Sequence, residues 1–363
     1  MSASVPARKK LPDLFESAAA FRDRFEQGLI ALLRETGELG EDILVLANAN
    51  FEPRIWDHLH DELKHCFARL AEQLATADRE GRTLAGAPDD VATLREIVSH
   101  GFYKLRPVES RHAGPWELQW NPLRAYRPAR HSNAVVTGIR APFDESKFHF
   151  DKPFLRQEFI WEGELLGRAT TLLYNKFPFA DYHGLLVPDI KDHRPQYLEV
   201  ADIEWLWHVA QELTQRMPGF GFAYNSYGAN ASVNHLHFQT FLRETPLPIA
   251  DARWKHNGGI EPYPCQCRCF TDRDEAAGFI VKMHGQQISY NLIVSSGRLY
   301  CLPRRKQGTF DTAPWSGALA WFEMAGGFPL ANAECYKNLD ANEIAAQIAI
   351  ANLDLMSQSP FTA

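Results

Sequence analysis

Polar and apolar side chains alternate in the segment 231–241, and three of the polar ones could do chemistry. They are His235, His237 and Gln239. We predict a strand over Asn234–Leu242, and on a strand side chains two positions apart share one face. The two imidazoles and the amide would then form one wall of a pocket, while the apolar positions between them pack inward.

This wall has the groups that a displacement at phosphorus requires. An imidazole is a competent nucleophile towards phosphorus and a good leaving group afterwards, so one difficult step becomes two easier ones. The second imidazole and the amide can donate hydrogen bonds to phosphoryl oxygens as charge builds up in the transition state. A His-x-His metal pair, or two histidines on a surface strand, is the alternative interpretation of the same residues.

A loop of small residues comes directly before the histidines, over residues 224–232. Backbone N–H groups and hydroxyls in such a loop can bind an anion.

The pattern Ser232-Val233-x-His235-x-His237-x-Gln239 resembles the histidine-triad superfamily, in the branch where glutamine replaces the third histidine. That branch includes galactose-1-phosphate uridylyltransferase, diadenosine tetraphosphate phosphorylase and the GDP-hexose phosphorylases. The closest resemblance is to the GDP-hexose phosphorylases. Besides residues 224–239, it rests on residues 142–150, which are similar to that family's FDxxKFNF, on residues 175–188, which end in LLVP, and on Tyr290–Leu292 with Pro303-Arg304.

The resemblance covers about residues 117–330 and has clear departures. His149 stands where the family usually has Asn. The second half has no His-x-His, so a duplicated half would be catalytically empty. The first 110 residues resemble nothing that we recognise in these enzymes.

The resemblance implies a role for each site residue. His237 would take the nucleotidyl group, Gln239 would steady the phosphoryl oxygens, and His235 would support the loop or the phosphate. Residues 121–128 resemble the RAxRP stretch of the uridylyltransferases, where arginines serve the nucleotide phosphates; surface arginines beside a turn are the alternative. The residues expected to bind the nucleotide are Arg124, Lys147, Asn175, His183, Asn225, Ser226, Gly228 and Ser232.

The resemblance further implies phosphorolysis of a GDP-hexose to GDP and a hexose 1-phosphate, through a covalent nucleotidyl-histidine and without a cofactor. The expected partners are a nucleotide sugar and inorganic phosphate; a homodimer is left open. The alternatives are a hexose-1-phosphate nucleotidyltransferase, a dinucleoside polyphosphate phosphorylase, or, from another class, a non-catalytic nucleotide sensor.

Two further clusters, one of cysteines and one of basic residues, have more than one possible function. Cys265, Cys267 and Cys269 would share one face of a strand, but zinc sites usually use a C-x2–4-C spacing, and free cysteines are often simply buried. Residues 304–306 are Arg-Arg-Lys, which would meet a sugar phosphate or inorganic phosphate, or else belong to an exposed loop.

The elements that must position these residues indicate an α+β fold with antiparallel sheets. Apolar spacing predicts a helix over Leu14–Leu33 that ends at Gly37 and Gly40, a second helix from Pro53 to about Leu74, and a third within 91–105. Later helices are expected over Val200–Gln215 and Asn342–Met356. Strands are expected over Trp116–Trp120, Ala134–Thr137, Thr170–Asn175, Gly184–Val187, Gly221–Asn225, Asn234–Leu242, Gly278–Lys282, Tyr290–Val294 and Leu299–Pro303.

By the resemblance, the fold is a tandem of two histidine-triad-like halves with a helical N-terminal extension. We expect the extension over residues 1–110, a catalytic half over 111–250 and a degenerate half over 251–363.

Composition excludes several classes of protein. The chain has 363 residues, of which 45% are hydrophobic and 23% charged, which does not fit a disordered chain or a coiled coil. A net charge of −7 argues against a nucleic-acid partner. We see no signal peptide and no membrane span, and the six cysteines form no disulfide framework, so we expect a cytoplasmic protein.

Overall fold

The computed structural model describes residues 11–126, 136–353 and 355, and it has the predicted mixture of helices and antiparallel strands. The helices are α1 (Ala18–Glu35), α2 (Leu39–Phe51), α3 (Pro53–Arg79), α4 (Pro88–His100), α5 (Leu123–Tyr126), α6 (Val200–Arg216), α7 (Arg273–Gly285), α8 (Trp321–Met324), α9 (Ala333–Asn338) and α10 (Ala341–Ala349). The strands are β1 (Glu109–Ala113), β2 (Trp116–Trp120), β3 (Phe159–Leu165), β4 (Arg168–Tyr174), β5 (Gly184–Pro188), β6 (Phe220–Asn225), β7 (Phe238–Leu242), β8 (Arg268–Phe270), β9 (Ser289–Ser295), β10 (Arg298–Arg304) and β11 (Gly327–Leu330).

One eight-stranded sheet is the centre of the fold. Its strand order is β3-β4-β5-β7-β6-β9-β10-β8, and each neighbouring pair is antiparallel. The β6–β9 pair joins strands from the two predicted halves, with Tyr224 opposite Leu292. A smaller sheet has the order β1-β2-β11, in which β11 runs parallel to β2.

Apolar layers cover both faces of the large sheet, because successive side chains on a strand point to opposite faces. On β6, Phe222 and Tyr224 pack into the core that contains α1–α4, α6 and α7, while Ala223 packs into the core that contains α8 and β11. On β7, Phe238 faces the first core and Phe241 the second.

The first four helices form a helical layer against the sheet, as predicted for the N-terminal region. The amphipathic stripe of α3 is buried, including Ile55, Leu59 and Leu63. Tyr174 on β4 donates its hydroxyl hydrogen to the carbonyl oxygen of Phe25 on α1 (2.7 Å). This N-terminal helical layer, α1–α4, is therefore tied to the sheet by hydrogen bonds as well as by apolar packing.

Helix α2 was not predicted. Gly37 lies beyond the end of α1 with a φ of +64°, as expected of a stop residue, but Gly40 lies in the first turn of α2 and does not end α1. Nearly every residue of α2 is buried. A helix that is buried all round shows no amphipathic period, so the periodicity that revealed its neighbours is missing here.

Other corrections concern the later elements. The strand predicted over Gly278–Lys282 is wrong, because those residues lie in α7, where Asp272 caps the helix by accepting N–H bonds from Asp274 and Glu275. Helix α10 ends at Ala349, short of the predicted Met356. The strand predicted over Ala134–Thr137 lies partly outside the described residues, and Val136 and Thr137 are not in a strand.

The predicted strand over Asn234–Leu242 is too long, since β7 begins at Phe238. His235 and His237 precede β7 and do not alternate on it. The N–H of Leu236 instead donates to the carbonyl oxygen of Arg194 (2.8 Å), and that of His237 to Gln196 Oε1 (2.9 Å). The chain before β7 is thus held by the segment that leads into α6, and not by a neighbouring strand.

Among the described residues, no helix is both long enough and apolar enough to cross a bilayer.

Candidate active site

His237 lies on the wall of a cavity of about 800 Å³, and its hydrogen bonds fix which ring nitrogen carries the proton. Nδ1 is 2.8 Å from the carbonyl oxygen of His235. A carbonyl oxygen can only accept, so Nδ1 must carry the hydrogen and Nε2 keeps its lone pair. Burial lowers the pKa of His237 to about 4, so the ring is neutral at pH 7. His237 is thus held in the protonation state of a nucleophile.

Gln239, two residues after His237, is held by two hydrogen-bond donors. Its Oε1 accepts hydrogen bonds from Trp321 Nε1 (2.7 Å) and from His183 Nε2 (2.8 Å). His183 can donate through Nε2 because its Nδ1 accepts the N–H of Phe179, and burial lowers its pKa to about 3. Since Oε1 is occupied, the NH₂ end of Gln239 is the group offered to the cavity, which this residue also lines.

The loop of small residues before the histidines contributes a second part of the wall. Asn225 lines the cavity, and its Oδ1 accepts from Asn291 Nδ2 (2.7 Å) and from the N–H of Trp321 (2.9 Å). As in Gln239, occupation of the oxygen leaves an amide NH₂ for a ligand. Ser232 lines the same cavity.

Gly228 shapes this loop and does not line the cavity. Its φ is +85°, and a Cβ there would lie 2.5 Å from Ser289 Oγ. Its carbonyl oxygen accepts the N–H of Gln307 (2.8 Å). Ser226 is buried away from the cavity as well, where its Oγ accepts the N–H of Tyr290 (2.8 Å). Both residues therefore support the loop and do not contact the cavity.

The segment 175–179 and Arg124 bring positive charge to the cavity wall. Asn175 and Arg124 both line the cavity, as does Lys176, which was not predicted. Arg124 donates to the carbonyl oxygen of Phe177 (2.8 Å), and its guanidinium carbon lies 4.7 Å from the centre of the Phe179 ring. Lys176 pairs with Asp90 on α4 (2.6 Å). The rest of the RAxRP-like stretch, from Arg127 onwards, lies outside the described residues.

His235 and Lys147, like Ser226, Gly228 and His183, lie off the cavity wall. His235 is buried, and its Nδ1 accepts the N–H of Phe150 (3.2 Å), which ties the histidine segment to residues 142–150. Burial lowers its pKa to about 3. Lys147 has a side chain that is 78% exposed and pairs with Asp144 at 3.8 Å. His235 is thus tied to residues 142–150, and the structure does not bring Lys147 to the cavity.

Sequence reasoning missed Trp321, Glu323, Lys176 and Asp90. Glu323 lines the cavity, accepts the N–H of Ala320 with Oε2 (2.9 Å), and has its pKa raised to about 7 by burial. Lys176 follows Asn175 directly, and that adjacency is a signal that could have found it. The other three lie far away in sequence, and no motif connects them to the histidines.

The structure also shows where the cysteine cluster (Cys265, Cys267 and Cys269) and the basic cluster (residues 304–306) lie. The described residues contain no group of three His, Cys, Asp or Glu side chains arranged to hold a metal ion. Cys265 is buried, with its pKa raised to about 12. Arg304 is buried and donates to Asn291 Oδ1 (3.1 Å), so the exposed-loop interpretation is wrong for this residue.

The part of the chain that contains these histidines matches a known family. Residues 116–241 match the family model described as GDPGP1-like, N-terminal domain. This segment is similar to that family, and we refer to residues 116–241 as the GDPGP1-like domain. It contains β2 to β7, and therefore His183, Asn225, His237 and Gln239.

Curated relatives are similar to less than half of this chain. The chain is 26% identical over 216 residues to GDP-L-galactose phosphorylase 1 of Arabidopsis thaliana, which is 49% of this chain and 48% of that protein. It is 30% identical over 160 residues to human GDP-D-glucose phosphorylase 1, covering 41% of this chain and 40% of that protein. The chain thus spans less than half the length of these relatives.

Among solved structures, yeast Ap4A phosphorylase Apa2 is similar with a TM-score of 0.48 and 15% sequence identity, over 68% of this chain and 86% of that one. The complex of the same enzyme with AMP gives a TM-score of 0.47 and 17% identity, over 68% and 88% of the two chains.

Proposed function

We propose that this protein is a nucleotidyltransferase in which His237 Nε2 takes the nucleotidyl group of a nucleoside diphosphate sugar. The observation that carries the proposal is the hydrogen bond from His237 Nδ1 to the carbonyl oxygen of His235. It leaves the lone pair of Nε2 available, and the lowered pKa keeps the ring neutral at physiological pH. A neutral, oriented imidazole beside a cavity is what nucleophilic catalysis at phosphorus requires.

The first step forms a bond between His237 Nε2 and the α-phosphorus and breaks the bond from that phosphorus to the bridging oxygen. The hexose 1-phosphate leaves with the electron pair of the broken bond. In the second step an oxygen of inorganic phosphate attacks the same phosphorus, and the electron pair of the P–N bond returns to Nε2. The products are a nucleoside diphosphate and neutral His237.

Three amide or hydroxyl groups on the cavity wall support both steps. The NH₂ groups of Gln239 and Asn225 and the hydroxyl of Ser232 can donate hydrogen bonds to the α-phosphoryl oxygens as negative charge grows in the transition state. The oxygens of both amides are already occupied by other donors, so their orientation is set before substrate arrives.

GDP-hexose phosphorolysis is the reaction that we propose. It is supported by the GDPGP1-like domain and by relatives named GDP-L-galactose phosphorylase and GDP-D-glucose phosphorylase. We also propose that residues 111–250 and 251–363 act as one catalytic unit of histidine-triad-like halves. The β6–β9 pairing and the bond from Trp321 to Gln239 support that unit. We further propose that the protein is cytoplasmic and has no nucleic-acid partner; the net charge of −7 supports the second point.

Steady-state kinetics test this function. With GDP-hexoses, UDP-hexoses and diadenosine tetraphosphate as donors, we expect phosphate-dependent release of GDP from a GDP-hexose, with the parallel double-reciprocal lines of a ping-pong mechanism. His237→Asn is expected to abolish turnover, whereas His112→Asn, at an exposed site on β1, leaves it unchanged. Substantial turnover in folded His237→Asn would overturn the proposal. Nucleotide binding without turnover of any donor in the wild-type protein would favour a sensor.

A further inference from the structure

The N-terminal helical layer lies outside the GDPGP1-like domain, yet it forms part of the cavity wall. Ala87, Pro88, Asp89 and Asp90, at the start of α4, line the same cavity as His237. Of the described residues on that wall, Arg124 and Lys176 are the two with permanently positive side chains. Lys176 is held by Asp90, which belongs to the helical layer.

Two contacts and one close approach connect the helical layer to the segment that bears Lys176. Asp90 Oδ1 lies 2.6 Å from Lys176 Nζ, and both side chains are largely buried, with 15% and 24% exposed. Asn48 on α2 donates to the carbonyl oxygen of Asn175 (3.0 Å). A Cβ on Gly40 would lie 3.0 Å from Asp90 Oδ2 and 3.3 Å from Lys176 Nζ, so the backbone of α2 also passes close to this ion pair.

The distal phosphate of the substrate needs a positively charged group of its own. In an in-line displacement the leaving group departs opposite the nucleophile, so the distal phosphate lies away from His237. Lys176 lines the same cavity as His237, together with Asn175 and Arg124. An ammonium group has three N–H donors, of which Asp90 takes one, which leaves two for phosphoryl oxygens.

We infer that Lys176 binds the phosphate that leaves as hexose 1-phosphate and is replaced by inorganic phosphate, and that Asp90 of the N-terminal helical layer is the positioning residue that holds Lys176 in place. This inference rests on the proposed function for the identity of the two phosphates. It gives the helical layer a direct part in substrate recognition, beyond covering the sheet.

Binding of GDP and of GMP to the full chain tests the inference without requiring turnover. GDP carries the distal phosphate, and GMP does not. By isothermal titration calorimetry, Lys176→Met is expected to weaken GDP binding about tenfold or more while GMP binding stays within about twofold of wild type, because a charge-assisted contact to one phosphate is lost. An unchanged ratio of GDP to GMP affinity in this variant would overturn the role of Lys176.

Two substitutions of Asp90 distinguish a positioning role from an effect of its negative charge. Asp90→Ala and Asp90→Asn both remove the negative charge, but only asparagine keeps an oxygen that can accept the Nζ hydrogen bond. GDP binding is expected to be several-fold weaker in Asp90→Ala than in Asp90→Asn, with GMP binding alike in the two. Equal GDP affinity in both variants would contradict a positioning role.

The helical layer contains a matched control for this ion pair. Asp78 on α3 pairs with Arg95 on α4 at 2.6 Å, and neither residue lines the cavity. Asp78→Ala is expected to leave the GDP and GMP affinities unchanged. If the wild-type protein binds GDP through Lys176 but turns over no donor, the proposed function fails, and Lys176 remains a binding residue for the distal phosphate of GDP. If phosphorolysis proceeds and Lys176→Met changes neither affinity, the inference fails and the function stands.

Discussion

The indole N–H of Trp321 donates a hydrogen bond of 2.7 Å to Gln239 Oε1. Trp321 begins α8, in the C-terminal part of the chain, while Gln239 lies on β7 inside the GDPGP1-like domain. The bond fixes the glutamine amide with its NH₂ end towards the cavity. The C-terminal part of the chain, which has no His-x-His of its own, therefore orients a residue of the proposed catalytic segment.

Trp321→Phe should lower kcat, because it removes one of the two donors that orient Gln239. A neutral hydrogen bond contributes about 1 kcal/mol, so we expect a decrease of several-fold to about tenfold in kcat, with a smaller change in KM. The matched control is Trp205→Phe, since the Trp205 indole also donates one bond, to the carbonyl oxygen of Leu165 (3.0 Å), but does not line the cavity. Equal kcat in the two variants, measured well below their unfolding temperatures, would contradict this role.

Substitution of Gly228 tests the geometry of the small-residue loop. Gly228→Ala combines a φ of +85° with a Cβ only 2.5 Å from Ser289 Oγ. Gly297→Ala has a similar φ of +73° with no atom within 4 Å of its Cβ, so it reproduces the backbone strain without the close contact. We expect Gly228→Ala to lower both the melting temperature and GMP affinity more than Gly297→Ala does. Equal losses in the two variants would show that the close approach to Ser289 is unimportant.

The titration of His237 should occur well below that of an exposed histidine. Burial lowers its pKa from 6.5 to about 4. The Hε1 resonance, assigned by its loss in His237→Asn, should shift in NMR spectra with a midpoint near pH 4. A midpoint near 6.5 would mean that the ring is solvated and is partly protonated near neutral pH.

Glu52 should make the protein less stable as pH rises. It accepts the N–H of Tyr182 (2.7 Å), and burial together with the nearby Asp181 raises its pKa from 4.5 to about 8. Between pH 4.5 and about pH 8 the folded protein keeps a proton on Glu52 that the unfolded chain has lost. The free energy of unfolding therefore falls by up to about 1.4 kcal/mol per pH unit in this range. Glu52→Gln keeps an acceptor oxygen and removes this dependence.

Urea unfolding at pH 5 and pH 8 measures the effect. The stability of Glu52→Gln relative to wild type should be greater at pH 8 than at pH 5. The control is Glu72→Gln, on the exposed face of α3. Its free energy of unfolding should differ from that of wild type by the same amount at pH 5 and pH 8. A Glu52→Gln difference that does not grow with pH would contradict the raised pKa.

The sequence predicted that His237 and Gln239 lie together, but it did not predict the local geometry of their segment. Period-two alternation placed His235 and His237 on a strand, but Gln196 and Arg194 hold the backbone of this segment before β7 begins. Those partners are about 40 residues away, and alternation within one segment carries no information about them. The two residues nevertheless lie together, because His237 and Gln239 line the same cavity.

Elements with a strong period were predicted well, and elements without one were missed. The buried stripe of α3 and the β-branched and aromatic runs of β4, β6 and β9 gave clear patterns, and their bounds differ from the predictions by a few residues. Helix α2 is buried all round, so it showed no period. Trp321 and Asp90 were missed because their contacts with the site depend on tertiary packing, which one sequence does not show.

Mass spectrometry of the purified protein mixed with a GDP-hexose in the absence of phosphate tests the central claim most directly. We expect a covalent adduct with the mass of one guanosine monophosphate group, located on His237 by peptide mapping and discharged as GDP when inorganic phosphate is added. His237→Asn should form no adduct. Absence of an adduct in wild-type protein that binds the nucleotide, or an adduct that persists in His237→Asn, would contradict nucleophilic catalysis by His237.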